Sequence, residues 1–439
     1  MPDICVVGLG YVGLPTACAF AQSGRRTVGV DIRSDLVDGV NRGETHLSES
    51  GISRAVKREV KEGRLIATTD LRTAVSGSAV VVIAVQTPYE GGKAVLSHLR
   101  SACEEVASSI RRGSVVIVES TVPPGTCENL VLPIFRKHGK RDGKDFFFAY
   151  CPERIAPGNS LEEFRNNDRI IGAGNKTSHA KALETMRWAV KGNLLATDML
   201  TAETTKLVEN AARDVYIGFA NDLAKICSRI GVDVREVIEL ANTHPRVKIL
   251  RPGIGVGGPC LTKDPYFLLE ALGENPEGGA MIREARAVNN SMKDEVLRLV
   301  SADGGLQPGS KVAVLGTSYK PDIDDPRSSP SEPVIRSLIG MGYEVSAYDP
   351  YCKEGFGARM AESLTEATSG ASCVFLLVAH TAFGAMSIEE LATGMAPHPL
   401  IIDAAGVSKP DDVRTGEYRL RRLGDGRNRA TDSSKEGKS

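Results

Sequence analysis

The first 31 residues constrain the fold most. An apolar run, Ile4-Cys5-Val6-Val7, meets the turn Gly8-Leu9-Gly10-Tyr11-Val12-Gly13, and an apolar-periodic stretch follows to Gln22. A second strand-like run, Arg26 to Val30, ends on Asp31. Strand, glycine turn, helix and acidic strand end, in that order, suit a dinucleotide. Gly8 permits the tight turn. Gly10 lets the backbone, with Tyr11 and Val12, approach a pyrophosphate, and Gly13 lets helix pack on strand. The helix N-terminus attracts the phosphate charge. Asp31 stands where a carboxylate would bind both ribose hydroxyls and repel a 2′-phosphate, favouring NAD over NADP; nearby Arg33 tempers that preference. A glycine turn that binds nothing is the competing reading.

The same alternation continues. Apolar runs at Ala79–Val85, Ser114–Val118 and Phe146–Tyr150 are separated by helix-length stretches, which predicts a parallel sheet with helices on both faces. From Thr201 to Ile230 the pattern is helical, with Gly231 as its stop, and more helix is expected over Asp264–Leu272 and Ala280–Val300. Strand-turn-helix then returns at Lys311–Gly316, Tyr343–Tyr348, Cys373–Val378 and Leu400–Ile402. The expected fold is α/β: two Rossmann-like doubly wound lobes joined by a central helical region with a long helix. Its boundaries are 1–195, 196–302 and 303–423, with a disordered polar tail at 424–439. The length of 439 residues suits about three domains.

Composition narrows the partners. A net charge of -1 argues against nucleic acid or an anionic membrane surface, and no apolar run approaches the roughly 20 residues of a membrane helix. Nine scattered cysteines and no basic leader suggest reduced thiols and a cytoplasmic location. Seven scattered histidines form no HExxH pair, so no metal is expected.

Four further constellations carry chemistry. Gly255-Val256-Gly257-Gly258-Pro259-Cys260 places a thiol at the end of a flexible backbone, with Lys263 and Asp264 close behind. Cys260 is then a nucleophile candidate, or a small buried hydrophobe. Lys206 and Asn210 share a helix face that Arg213 extends, either gripping an oxyanion or sugar hydroxyl or simply facing solvent. Glu153 and Arg154 follow a strand at the Cys151-Pro152 turn, where a carboxylate is a general-base candidate or a cap. Tyr319-Lys320-Pro321-Asp322 through Arg327 follows the first strand of the last lobe. It offers both charges without the spacing of a metal site.

Taken in order, these pieces resemble the UDP-sugar 6-dehydrogenase family. The likeness rests on the 8–13 turn, Glu119-Ser120-Thr121-Val122-Pro123-Pro124-Gly125-Thr126, Cys151-Pro152-Glu153-Arg154, the Cys260 loop and Tyr319-Lys320-Pro321-Asp322. It implies a four-electron oxidation of a sugar's C6 alcohol to a carboxylate with two NAD. By that resemblance Cys260 attacks the aldehyde, and the thiohemiacetal becomes a thioester that water hydrolyses. Lys206 would stabilise the oxyanion, Asn210 hold the reacting centre and Asp264 orient the cluster. Thr121 and Glu153 would position or activate water. Arg154, Ile155, Lys206, Asn210, Arg213, His244, Arg246, Gly257, Tyr319 and Lys320 would line the UDP-sugar site, with Arg246 reaching a neighbouring subunit. Thr87, Thr121 and Arg327 would touch NAD.

Within the family, Glu209-Asn210-Ala211-Ala212-Arg213-Asp214-Val215 and His244-Pro245-Arg246-Val247 resemble the branch acting on UDP-N-acetylmannosamine. The expected product is a uronate feeding polysaccharide or glycoprotein assembly, from an enzyme that is at least a homodimer. UDP-N-acetylglucosamine and UDP-glucose remain alternative substrates, and a non-catalytic dinucleotide-binding regulator is a reading from another class. One departure concerns the last lobe: Asp403-Ala404-Ala405-Gly406 stands where the family usually has a basic residue.

Overall fold

The computed structural model describes residues 3–273, 277–301, 304–409 and 417–428. The chain divides into two compact units, 1–210 with 263–275, and 211–262 with 276–439. The stretch expected as a central domain is shared between them. The long helix Met199–Ile230 belongs to the first unit as far as Asn210 and to the second from Ala211. Among the described residues no helix is long and apolar enough to cross a membrane.

The first unit is built on strands β1 (Ile4–Val7), β2 (Thr27–Val30), β3 (Leu65–Thr68), β4 (Val80–Ile83), β7 (Val115–Val118), β8 (Phe147–Tyr150), β9 (Arg169–Gly172) and β10 (Leu194–Thr197), with a hairpin β5 (Tyr89–Glu90) and β6 (Lys93–Ala94) beside them. The sheet runs β10-β9-β8-β7-β4-β1-β2-β3. Every pairing in it is parallel except β8 with β9. Uninterrupted apolar runs make β1 and β4 because both their faces are covered: Ile4, Val6, Val80 and Val82 join one core, Cys5, Val7, Val81 and Ile83 the other. The strand order reverses between β1 and β4, so the crevice at their carboxyl ends is where a ligand of such a sheet sits. The glycine turn occupies that place.

The second unit repeats the order. Strands β11 (Lys311–Leu315), β12 (Glu344–Tyr348), β13 (Arg359–Met360), β14 (Cys373–Leu376), β15 (Leu400–Asp403) and β16 (Arg419–Arg422) form an all-parallel sheet, β13-β12-β11-β14-β15-β16. Its helical part includes the second half of the long helix, which Gly231 ends at φ 89°. The single helix expected over 280–300 is two, Ala280–Asn290 and Met292–Ser301. They meet at Ser291, whose hydroxyl donates to the Val288 carbonyl and takes a hydrogen bond from Lys225. Residues 424–428, expected in the tail, take part in the fold. Gly426–Asn428 is a 3-10 turn, and Arg427 binds Asp425 and Asp233. Gly424 lies close enough to Val234 that a Cβ would come within 2.4 Å of it. Residues 429–439 of that tail lie outside the described residues.

Candidate functional site

The glycine turn has the geometry its spacing predicts. Gly8 adopts φ 92°, and a Cβ there would lie 2.6 Å from the Ala84 carbonyl oxygen. A Cβ on Gly13 would fall 1.8 Å from the Gly8 oxygen, so the helix Gly13–Gln22 packs on the turn only because Gly13 has none. Gly10 differs: a Cβ there would meet nothing within 4 Å. Its space faces no protein atom, which suits a pyrophosphate. Asp31 at the end of β2 accepts the Leu9 and Arg33 N–H groups at 2.8 and 3.0 Å, one per carboxylate oxygen. Arg33 turns its guanidinium to Asp35 at 2.5 Å, away from a competing role toward a 2′-phosphate. These residues fit NAD: Gly8 to Gly13 would carry its pyrophosphate and Asp31 its ribose.

Behind the turn lies a buried pair that sequence reading missed. Arg169, fully buried at the start of β9, binds Glu119 at the end of β7 at 2.5 Å. Thr16 of the first helix donates to the other Glu119 oxygen at 2.7 Å. Burial pushes the Glu119 carboxyl up despite Arg169 and Thr16. The pair ties the end of β7, just before Thr121, to β9, and Arg169 also donates to the Cys151 carbonyl at 3.4 Å, two residues before Glu153. Thr121 accepts the Thr87 hydroxyl on its carbonyl at 2.6 Å, joining two expected cofactor residues.

The long helix presents a buried polar face. Glu203, Lys206, Asn210, Asp214 and Asn221 recur at helical spacing, and all are buried. Glu203 accepts the Gly125 and Cys127 N–H groups at 2.5 and 2.7 Å, tying the loop after Thr121 to the helix one turn before Lys206. Lys206 reaches Glu153 at 2.8 Å, and the Ile155 N–H reaches the other Glu153 oxygen at 2.8 Å. Burial favours the neutral acid at Glu153, but Lys206 and the Ile155 N–H outweigh it and hold the carboxyl below its usual range. Asn210 donates to Asp264 at 2.6 Å, and Lys263 meets the other Asp264 oxygen at 2.8 Å. Arg213 does not extend this face as expected. It is exposed, and the face continues one turn on at Asp214, held by Arg286 at 2.7 Å. Arg154 pairs with Glu209 at 2.6 Å.

Asp264 opens a short helix, Asp264–Glu270, which a second missed feature secures. Tyr266 stacks on Tyr89 at 5.1 Å, and Glu270 accepts the Ala94 N–H, so the β5–β6 hairpin after Thr87-Pro88 clamps the helix. Two aromatics some 180 residues apart give no sequence signal of contact.

In the second unit, Cys260 ends a loop cast against residues 319–330. A Cβ on Gly257 would lie 2.7 Å from Pro330 Cδ and the Ser328 oxygen, and one on Gly258 2.7 Å from the Tyr319 ring. The Gly258 N–H donates to the Arg327 carbonyl at 3.1 Å. Cys260 is half-buried, whereas the other eight cysteines are buried, and burial pushes Cys5, Cys18 and Cys103 up to about 12. Cys260 is thus the thiol whose setting suits a nucleophile. Tyr319 is half-buried, and Lys320, His244 and Arg246 are exposed. Arg327 grips Asp325 with two nitrogens. Asp403, which opens the stretch that departs from the family pattern, accepts the Gly406, Val407 and Ser408 N–H groups and shapes that turn.

Opposite its buried polar face, the long helix exposes Tyr216, Phe219, Ile226 and Ile230. Their spacing is that of a coiled-coil seam, and an exposed apolar stripe of this kind marks an interaction surface.

Models of the UDP-glucose/GDP-mannose dehydrogenase family match three times: the NAD binding domain at residues 2–188, the central domain at 200–291 and the UDP binding domain at 313–410. The chain is 41% identical over 414 residues to the UDP-N-acetyl-D-mannosamine dehydrogenase of Pyrococcus horikoshii, covering 93% of this chain and 97% of that protein. It is 38% identical to the NDP-N-acetyl-D-galactosaminuronic acid dehydrogenase of Ralstonia nicotianae over 92% of this chain and 96% of that one. The solved structure of UDP-D-ManNAc dehydrogenase from Pyrococcus horikoshii is similar at TM-score 0.90 and 39% identity, over 97% of this chain and 100% of that chain.

Proposed function

The chain belongs to the UDP-glucose/GDP-mannose dehydrogenase family, and on that premise we propose that it oxidises the C6 alcohol of UDP-N-acetylmannosamine to the uronate through a Cys260 thioester. It is an NAD-dependent nucleotide-sugar dehydrogenase; the sugar and the covalent path are our reading. The single observation that supports the path is two buried pairs carried by one helix face, Lys206 with Glu153 at 2.8 Å and Asn210 with Asp264 at 2.6 Å. An ammonium and an amide held dry beside two carboxylates serve an oxyanion; a regulator has no use for them. The choice of sugar follows the N-acetylhexosamine relatives.

The roles follow from the chemistry of each group. NAD, when bound, supplies two-electron acceptance at each oxidation. Lys206, with Asn210, meets the negative charge that develops on the C6 oxygen. The Cys260 thiolate adds to the aldehyde carbon and the carbonyl oxygen becomes the oxyanion of the thiohemiacetal. Oxidation of that adduct leaves a thioester. Water then adds at the acyl carbon, the C–S bond breaks, and the carboxylate leaves with the thiol restored. Glu153 is held ionised and weakly basic beside Lys206, so its part is to orient the water with Thr121 rather than to deprotonate it strongly. Asp264 fixes Asn210.

We read the protein as a cytoplasmic homodimer paired through the stripe from Tyr216 to Ile230. The covalent path is tested with Cys260→Ser, which should bind NAD and UDP-sugar as the native protein does and give no uronate. Full four-electron turnover by that variant would refute the thioester.

A further inference from the structure

One buried titratable side chain has no part in this account. His380, 1% exposed, follows β14 and lies among charged and polar groups from three segments. Its Nδ1 accepts the Asp322 N–H at 2.9 Å. A backbone N–H only donates, so the ring is neutral with its proton on Nε2. Nε2 then donates to Asp349 at 3.0 Å, with the Ser318 hydroxyl at 3.3 Å. Asp349, at the end of β12, also accepts the Thr317, Ser318, Tyr351 and Cys352 N–H groups, so it is a fixed post.

Asp322 needs the anchor. It sits at φ 60°, a conformation unfavourable for a side chain, and Ser328 in the same loop sits at φ 51°. Besides His380, Asp322 is held by Thr381, whose N–H and hydroxyl donate to its carboxylate at 2.9 and 2.6 Å. The loop carries Tyr319 and Lys320 just before Asp322, and Arg327 between the two strained points. Tyr319 and Ser328 are the atoms that Gly257 and Gly258 pack against, just before Cys260.

We propose that His380 is a positioning residue for Cys260: by tying Asp322 to Asp349 it sets the 317–330 loop, and that loop is the mould for the glycine backbone that presents the thiol. The same loop carries Tyr319 and Lys320, so sugar binding and thiol placement are coupled through one buried imidazole. The inference rests on reading Cys260 as the nucleophile and Tyr319 with Lys320 as sugar contacts.

The test uses the full-length protein and iodoacetamide, with alkylation mapped to each cysteine. His380→Ala removes both hydrogen bonds. His380→Asn keeps an acceptor where Nδ1 was. In His380→Ala, Cys260 should alkylate at a rate changed about fivefold or more, while the eight buried cysteines stay unlabelled. The KM for UDP-sugar should rise about tenfold with the KM for NAD unchanged. His380→Asn should recover most of both effects. An unchanged Cys260 rate and sugar KM in folded His380→Ala would overturn the proposal, as would His380→Asn behaving like His380→Ala. If His380→Ala labels at every cysteine, and so has unfolded, His380→Gln supplies the comparison, since it keeps the bond to Asp349 and drops the one to Asp322. Failure of the underlying reading is separately visible: native protein alkylated at Cys260 would then keep its turnover, whatever His380 does.

Discussion

Replacing Lys206 by methionine removes one charge from a buried pair and leaves the other. Lys206 and Glu153 are 5% and 6% exposed and 2.8 Å apart. At an effective dielectric of about 20 their gross attraction is about 6 kcal/mol. Losing it strands a carboxylate that keeps the Ile155 N–H as its hydrogen-bond donor. Breaking such a pair from one side costs about 3–5 kcal/mol, which in a unit of this size lowers Tm by roughly 10 °C. The pH dependence has a definite sign. In the native protein the Glu153 carboxyl is held low, so its contribution is present above the ordinary carboxyl value and lost as pH falls through the lowered one. In Lys206→Met burial acts without its largest opponent and the carboxyl rises. The variant must then take up a proton on folding or bury a lone charge, and its penalty grows with pH. The gap in Tm between native and variant should therefore be widest near pH 8 and narrow toward pH 5. Glu153→Gln with Lys206→Met should regain most of the Tm while remaining inactive. Thermal unfolding by circular dichroism across that pH range measures all of it. A variant as stable as the native protein, or a gap that ignores pH, would mean that Lys206 and Glu153 are not a coupled buried pair.

Gly10 and Gly13 should separate binding from folding. Gly10→Ala should keep its Tm and lose about tenfold or more in NAD affinity, because a Cβ there meets no protein atom. Gly13→Ala drives a Cβ into the Gly8 oxygen and should destabilise by about 3 kcal/mol, read by the same melt. Asp31→Ala should weaken NAD binding about tenfold and leave NADP binding nearly unchanged, measured by titration calorimetry. Phe219→Asp with Ile226→Asp should convert a dimer to monomer in sedimentation velocity, with each unit still folded; an unchanged sedimentation coefficient would move the interface elsewhere.

What the sequence revealed follows from how signals are stored in it. Strands covered on both faces, such as β1, β4 and β7, are unbroken apolar runs and stand out. By contrast, β3 and β10 each hold three apolar residues before a threonine, with Ile66 and Leu195 exposed, so their runs are shorter and stand out less. The glycine turn was readable because each glycine answers a separate steric demand. The polar set was harder. Lys206 and Asn210 share a face by spacing, but spacing does not say which way the face points, and the buried run continues at Asp214 while Arg213 is exposed. Glu153, Asp264 and Asn210 are brought together over long separations, and Glu119 with Arg169 likewise. Such meetings are written in the fold, not in any local pattern. Family resemblance supplied them for Glu153 and Asp264 and was silent about Arg169 and His380. The long helix makes the same point: its buried carboxylates and exposed aromatics invert the usual amphipathic pattern.

The proposed reaction is a four-electron oxidation of one sugar through one thiol. NADH formed per UDP-sugar consumed, with UDP-N-acetylmannosamine, UDP-N-acetylglucosamine and UDP-glucose run side by side, tests it most directly. Two NADH per sugar are expected, with UDP-N-acetylmannosamine preferred and no aldehyde released. One NADH per sugar with free aldehyde, or equal turnover of UDP-glucose, would contradict it.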